Sequence, residues 1–136
     1  YPLSNAGSQA GSGAVGELAE PMNEMDFLHH LKAVLHVPCV RHSALRGRPV
    51  RRVALCGGSG AFLWRDAVAA GADVFITGEA KYNDYFDVED RILLAVVGHY
   101  ESERCTVDLF HEIISSKHPT FALRNSETSI NPITYL

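Results

Sequence analysis

Short apolar blocks separated by glycine-rich or charged turns set the order of elements along this chain. The runs Arg52 to Cys56, Val74 to Thr77 and Ile92 to Val97 have the length and branched composition of buried strands. Around them, helical patterns are read from about Ala61 to Ala70, stopped by Gly71, for a short piece from Lys81 to Val88, and from Ser102 to Ser116. A last strand is expected at Thr120 to Leu123. Upstream, Asn23 is placed to cap a helix reaching about His36, with Asp26 at its third position, and a short strand is expected around Cys39 to Ala44. Such alternation predicts βαβ units, hence an α/β fold with a largely parallel sheet and covering helices. Val53, Leu55, Trp64, Val68, Val74, Ile76, Leu94, Val96, Leu109, Phe110, Ile113 and Ile114 are the expected core. Parallel strands bring their carboxyl ends to one sheet edge, where ligands of such folds gather.

The stretch from Ser4 to Gly16 is rich in Gly, Ser and Ala and reads as a linker, so residues 1–16 are taken as a junction and 17–136 as one α/β domain. Gly11 to Gly16 has the spacing of a dinucleotide-binding loop, but no strand precedes it and Glu17-Leu18-Ala19-Glu20-Pro21 does not open a helix.

Composition narrows the function classes. With 136 residues, 46% hydrophobic and 21% charged, the chain is long enough for one core. Its net charge of -4 argues against a general nucleic-acid grip. Arg41, Arg46, Arg48, Arg51 and Arg52 form a basic stretch without aromatics, read as a solvated loop and strand edge or, alternatively, as a phosphate-facing or subunit-facing rim. No apolar run approaches membrane-spanning length and no leader pattern is present, so no membrane association is expected. Cys39, Cys56 and Cys105 have no metal-type spacing and are odd in number, which fits a reducing cytoplasm.

The candidate chemistry centres on Gly98-His99-Tyr100-Glu101-Ser102-Glu103, where a strand gives way to a helix. One turn back from Val107 lands on Glu103, which is therefore expected to point inward, with His99 reaching the same spot. A His and a Glu converging there form half of a metal site, although Glu in a first helical turn also serves dipole and capping needs. His29-His30 is a lookalike: Phe27, Leu28, Leu31, Val34 and Leu35 form the apolar stripe of that helix, so His29 faces water and His30 flanks the stripe. Gly57-Gly58-Ser59-Gly60 offers backbone N–H groups and a hydroxyl suited to a phosphate or carboxylate, or else a tight turn with Ser59 as cap. Thr77 and Glu79 follow the next strand on the same edge, and Glu79 reads as the acceptor orienting His99 or as the cap of the short helix after it.

Three motifs, in order and spacing, carry a family resemblance. Val53 to Gly60 (VALCGGSG), Ala72 to Tyr82 (ADVFITGEAKY) and Gly98 to Glu103 (GHYESE) are similar to the Nif-three-like family, also called dinuclear metal-centre hexameric proteins or type 2 GTP cyclohydrolase I homologues. The chain resembles the C-terminal part of a member. That resemblance implies two divalent ions (zinc, iron or manganese) in the full-length protein, with His99 and Glu103 as this chain's ligands. The remaining ligands, a His-His-Pro element and an Asp, belong to an N-terminal half that this sequence lacks, so an incomplete site is expected here. A ring-shaped homo-hexamer is implied as well. The implied activity is metal-dependent hydrolysis of a nucleotide or related phosphorylated substrate, with Gly57 to Gly60, Thr77 and Glu79 as substrate- or anion-binding residues. The alternative is a non-enzymatic metal- or nucleotide-binding regulator acting through partners. Asn83 stands where many members carry His, and Asn cannot transfer a proton as an acid or base.

Overall fold

The computed structural model describes residues 11–128 and 131–136. They form two compact units, residues 1–102 and 103–136, whose described parts are taken separately below. Residues 1–10 of the expected linker lie outside the described residues.

The first unit is built on a five-stranded sheet of order β1-β3-β4-β5-β2, comprising β1 (Ala14–Met22), β2 (Arg41–His42), β3 (Val50–Cys56), β4 (Val74–Thr77) and β5 (Leu93–Val96). The central strands β3, β4 and β5 run parallel in steady register, Val53 beside Val74 and Val74 beside Leu93. Both edge strands are antiparallel: β1 pairs with β3, and β2 pairs with β5 through Arg41 opposite Val96 and His42 opposite Ala95. The architecture is the expected α/β sheet with covering helices, parallel at its centre.

Two apolar layers flank this sheet. On one face, Phe27, Leu28 and Leu31 of α1 (Glu24–Val34) pack with Val50, Val74, Ile76, Leu93 and Ala95. Asn23 caps α1 as expected, its Oδ1 accepting from Met25 N at 2.9 Å. His29 and His30 are exposed, as the helical phase requires. On the other face, Ala54, Phe75, Leu94 and Val96 meet Leu63, Trp64, Ala67 and Val88. The expected helix over Ala61 to Ala70 divides there into a 3-10 turn, Ala61–Leu63, and α2 (Trp64–Ala69); α3 covers Tyr82–Asp87. Two carboxylates fasten loops to this frame. Buried Glu24 accepts from Arg46 N and Gly47 N, and Asp73 Oδ2 accepts from Arg51 N and Arg52 N. Each carboxylate thus satisfies backbone donors that would otherwise go unbonded away from the ladder.

Several expectations are corrected. Ala14 to Gly16 belong to β1, not to a linker: the segment through Glu17-Leu18-Ala19-Glu20-Pro21 forms an edge strand, where Pro is tolerated because one side of the backbone is unpaired. The strand around Cys39 to Ala44 is reduced to Arg41–His42. Among the expected core residues, Leu55 and Val68 are exposed, and Val53 is half-buried.

The expected helix over Ser102 to Ser116 is replaced by α4 (His99–Glu103) and α5 (Cys105–Lys117). In the second unit, α5 has no buried residue, and Val107, Leu109, Phe110 and Ile113 are exposed, contrary to their expected place in the core. Ile114 is half-buried, on the side where His111 Nδ1 donates to Asn125 Oδ1 at 2.9 Å and Asn125 Nδ2 donates to Asp108 Oδ1 at 3.2 Å. Thr120 to Leu123 forms no strand. Among the described residues, no helix is long and apolar enough to cross a membrane.

Candidate functional site

The carboxyl ends of β3, β4 and β5 bring three loops together: Gly57 to Gly60, Gly78 to Ala80, and Gly98 with the start of α4. A network of hydrogen bonds ties them. Gly58 N donates to Ser102 Oγ at 3.0 Å, and Ser102 Oγ donates to His99 O at 2.8 Å. Thr77 is fully buried; its hydroxyl accepts from Gly60 N at 3.1 Å and donates to Gly58 O at 3.2 Å. Gly58 O also accepts from Glu79 N at 2.9 Å. Gly58 has φ 59°, a left-handed conformation that L side chains resist.

This arrangement changes the reading of the glycine-rich turn. The Gly58 and Gly60 amides are already engaged by hydroxyls of the protein, so they are less available to an anion than the bare sequence suggests. Ser59 does not cap the following turn. Its Oγ donates instead to Glu79 Oε2 in a short contact.

Glu79 occupies the exposed centre of the site. Its other oxygen, Oε1, lies 2.9 Å from His99 Nδ1. The Ser59 hydroxyl foremost, then the His99 hydrogen bond, hold the Glu79 carboxyl below the usual carboxylate range, with the charges of His99 and Arg41 adding to the effect. Glu79 does not cap α3, whose N-cap is Lys81. A His that donates through Nδ1 to a carboxylate has its tautomer and ring orientation fixed, which is the arrangement metal-ligating histidines favour.

The buried carboxylate of α4 is Glu101, 6% exposed, whereas Glu103 is exposed; the expectation that Glu103 points inward is corrected. The reason is a break in helical phase: α4 ends at Glu103 and α5 begins at Cys105, so counting back a turn from Val107 crosses the boundary between two helices. His99 and Glu103 are the first and last residues of α4. Among the described residues, no group of three or more His, Cys, Asp or Glu side chains is gathered as a metal site would need. Asn83 is exposed on α3. Arg41, read from the sequence only as one member of a basic stretch, is the residue that sequence reasoning did not assign to this site. It sits on edge strand β2 opposite Val96, and its charge is felt at Glu79.

Comparison with known proteins places this chain in a family. The family model Duf34/NIF3 (NGG1p interacting factor 3) matches residues 2–132. The chain is 30% identical over 135 residues to a Staphylococcus epidermidis protein named GTP cyclohydrolase 1 type 2 homolog, covering 96% of this chain and 37% of that protein. A Streptococcus pneumoniae protein of the same name is 34% identical over 103 residues, covering 72% of this chain and 38% of its own length. Among solved structures, Staphylococcus aureus protein SA1388 superposes with a TM-score of 0.80 at 28% identity, over 93% of this chain and 42% of that one. A Bacillus cereus protein related to NIF3 gives 0.79 at 28% identity, over 100% and 39%. The chain belongs to the Duf34/NIF3 family and spans well under half the length of these relatives.

Proposed function

We propose that this chain supplies His99 and Glu103 to a two-metal centre completed by residues outside it, and that the whole protein is a hydrolase acting on a nucleotide or related phosphorylated substrate. The observation that carries this reading is the hydrogen bond from His99 Nδ1 to Glu79, which presets the ring for ligation through Nε2. The chemistry of the donor set fits: an imidazole and a carboxylate at the two ends of α4 suit zinc, iron or manganese, and two ligands fall short of a full shell. Two divalent ions would supply Lewis-acid polarisation of water and of phosphate oxygens. The chain's own residues hold the ligand in place. Ser59 and His99 fix the two oxygens of Glu79, while Ser102 and Thr77 lock the Gly57 to Gly60 turn beneath. We further propose that the complete protein assembles as a homo-hexameric ring in the cytoplasm.

The test is metal content and turnover of the full-length protein against a nucleotide library. Hydrolysis that is lost with the metal in His99→Ala supports the reading. Metal and nucleotide binding without turnover of any nucleotide would reject the hydrolase and favour a binding regulator.

A further inference from the structure

Next to the Glu79 and His99 pair lies a cleft of about 540 Å³, bordered by Arg41, Ser59, Phe62, Glu79, Lys81 and Asp84. Its size falls in the range of about 300–1,000 Å³ usual for small-ligand sites. The acidic and basic side chains in it are in different states. Both carboxylates already have donors: Glu79 accepts from Ser59 and His99, and Asp84 Oδ2 accepts from Lys81 N at 2.6 Å. Among the described residues, neither Arg41 nor the Lys81 ammonium forms an ion pair with an acidic side chain. The two carboxylates keep their charge under these hydrogen bonds but are held by neighbouring donors, whereas the two cations are the groups of the cleft left to meet an incoming ligand. Phe62, on the 3-10 turn after the glycine-rich loop, is 69% exposed at this cleft. A large aromatic ring in water beside two cations is a platform for a flat apolar group attached to an anion.

Resting on the reading above, which it deepens, we propose that this cleft binds a nucleotide-like ligand: Arg41 and Lys81 hold the phosphate and Phe62 stacks against the base. Arg41 offers a planar fork matched to phosphate oxygens, and Lys81 a compact charge that adjusts to them. The position is set by the sheet. Arg41 lies opposite Val96 and Lys81 follows β4, so both cations are carried to the edge where Glu79 and His99 meet. Phosphate bound there would lie beside the metal ligand His99, and the base would lie outward over the 3-10 turn.

The experiment is calorimetric titration of the intact protein, with chelator present so that no affinity comes through metal, using guanosine monophosphate, inorganic phosphate and guanosine. The monophosphate should bind more tightly than either part. Arg41→Ala and Lys81→Ala should each weaken monophosphate and phosphate binding tenfold or more and leave guanosine unchanged. Phe62→Ala should weaken guanosine and the monophosphate but not phosphate. No binding of the monophosphate to a folded protein, or equal binding by the Arg41 and Lys81 variants, would overturn the proposal. The two readings fail differently: intact nucleotide binding without turnover in the metal-loaded protein sinks only the hydrolase. Conversely, turnover whose KM ignores Arg41 and Lys81 sinks only this cleft.

Discussion

Gly78 and Ser102 touch so closely that a Cβ on Gly78 would stand 2.7 Å from the Ser102 hydroxyl and 2.8 Å from Gly58 O. The first neighbour is a side chain and can turn away; the second is backbone and cannot. Gly78→Ala should therefore force the Gly57 to Gly60 turn outward and destabilise the protein by about 1–3 kcal/mol. Urea unfolding of Gly78→Ala with and without Ser102→Ala checks this. Removing the hydroxyl should recover only part of the loss, and an unchanged midpoint for Gly78→Ala would refute the close contact.

The pairing of Glu79 with His99 predicts a metal phenotype without a folding phenotype. Glu79→Gln keeps the shape but weakens the acceptor, and loss of such an outer carboxylate typically lowers metal affinity about 10–100-fold. Competition with a chelating dye on the full-length protein measures it; affinity equal to wild type would show that Glu79 does not act on His99.

Ser59→Ala removes the foremost cause of the lowered Glu79 pKa, which should rise toward the ordinary carboxylate value. The sign follows from linkage. A carboxylate whose folded pKa is depressed contributes stability above its unfolded pKa and loses it as pH falls through the folded value, so the Ser59 variant should lose this contribution at a higher pH. A carboxyl-carbon NMR titration reads the pKa directly. A Glu79 titration that does not move would remove Ser59 from the account.

Glu24 predicts the opposite kind of effect. This carboxylate is 4% exposed and accepts from Arg46 N and Gly47 N at 2.8–3.0 Å. Glu24→Ala leaves those donors without their acceptor and should cost about 1–3 kcal/mol, seen as a lower melting temperature. Glu24→Gln, which retains one oxygen, should fall between the two. Equal melting of all three proteins would show that solvent replaces the carboxylate freely.

On α5, Phe110 is 57% exposed with Val107 and Ile113 beside it in the helical stripe. Phe110→Glu should change stability by no more than about 0.5 kcal/mol while reducing apolar-dye binding and self-association at high concentration. Sedimentation of the two proteins decides: a wild-type chain that stays monomeric and binds no dye would show that the stripe is not adhesive.

What could be read from the sequence divides along physical lines. The β4 strand, Val74 to Thr77, was legible because a buried central strand needs an unbroken apolar run, and Gly71 and Gly78 bound it on either side. The β1 strand was not, because an edge strand held by backbone pairing to β3 places few demands on its side chains, and Glu17, Glu20 and Pro21 look like loop. The amphipathic pattern of α5 correctly marks which side is apolar, but periodicity does not say what covers that side. In the site, the approach of Glu79 to His99 followed from adjacent parallel strand ends. Arg41 was visible only as one of five arginines in a basic stretch, because a two-residue antiparallel strand leaves almost no periodic signal, and only its partner Val96 places it at this edge.

That two-residue strand has a consequence for how the cleft behaves over time. β2 is fastened to the sheet at its outer edge by the pairing of Arg41 and His42 with β5, with Ser43 N donating to Leu94 O and Leu94 N to the Ser43 hydroxyl just beyond. Short edge segments open locally at a fraction of the free energy needed to unfold the core, so the amides here should exchange with solvent sooner than those of β3 and β4. Each opening would withdraw Arg41 from the cleft while leaving Glu79 and His99 in place. A ligand gripped by Arg41 would hold this flap down, and slower exchange at Arg41 and His42 would register its arrival even before any chemistry occurred.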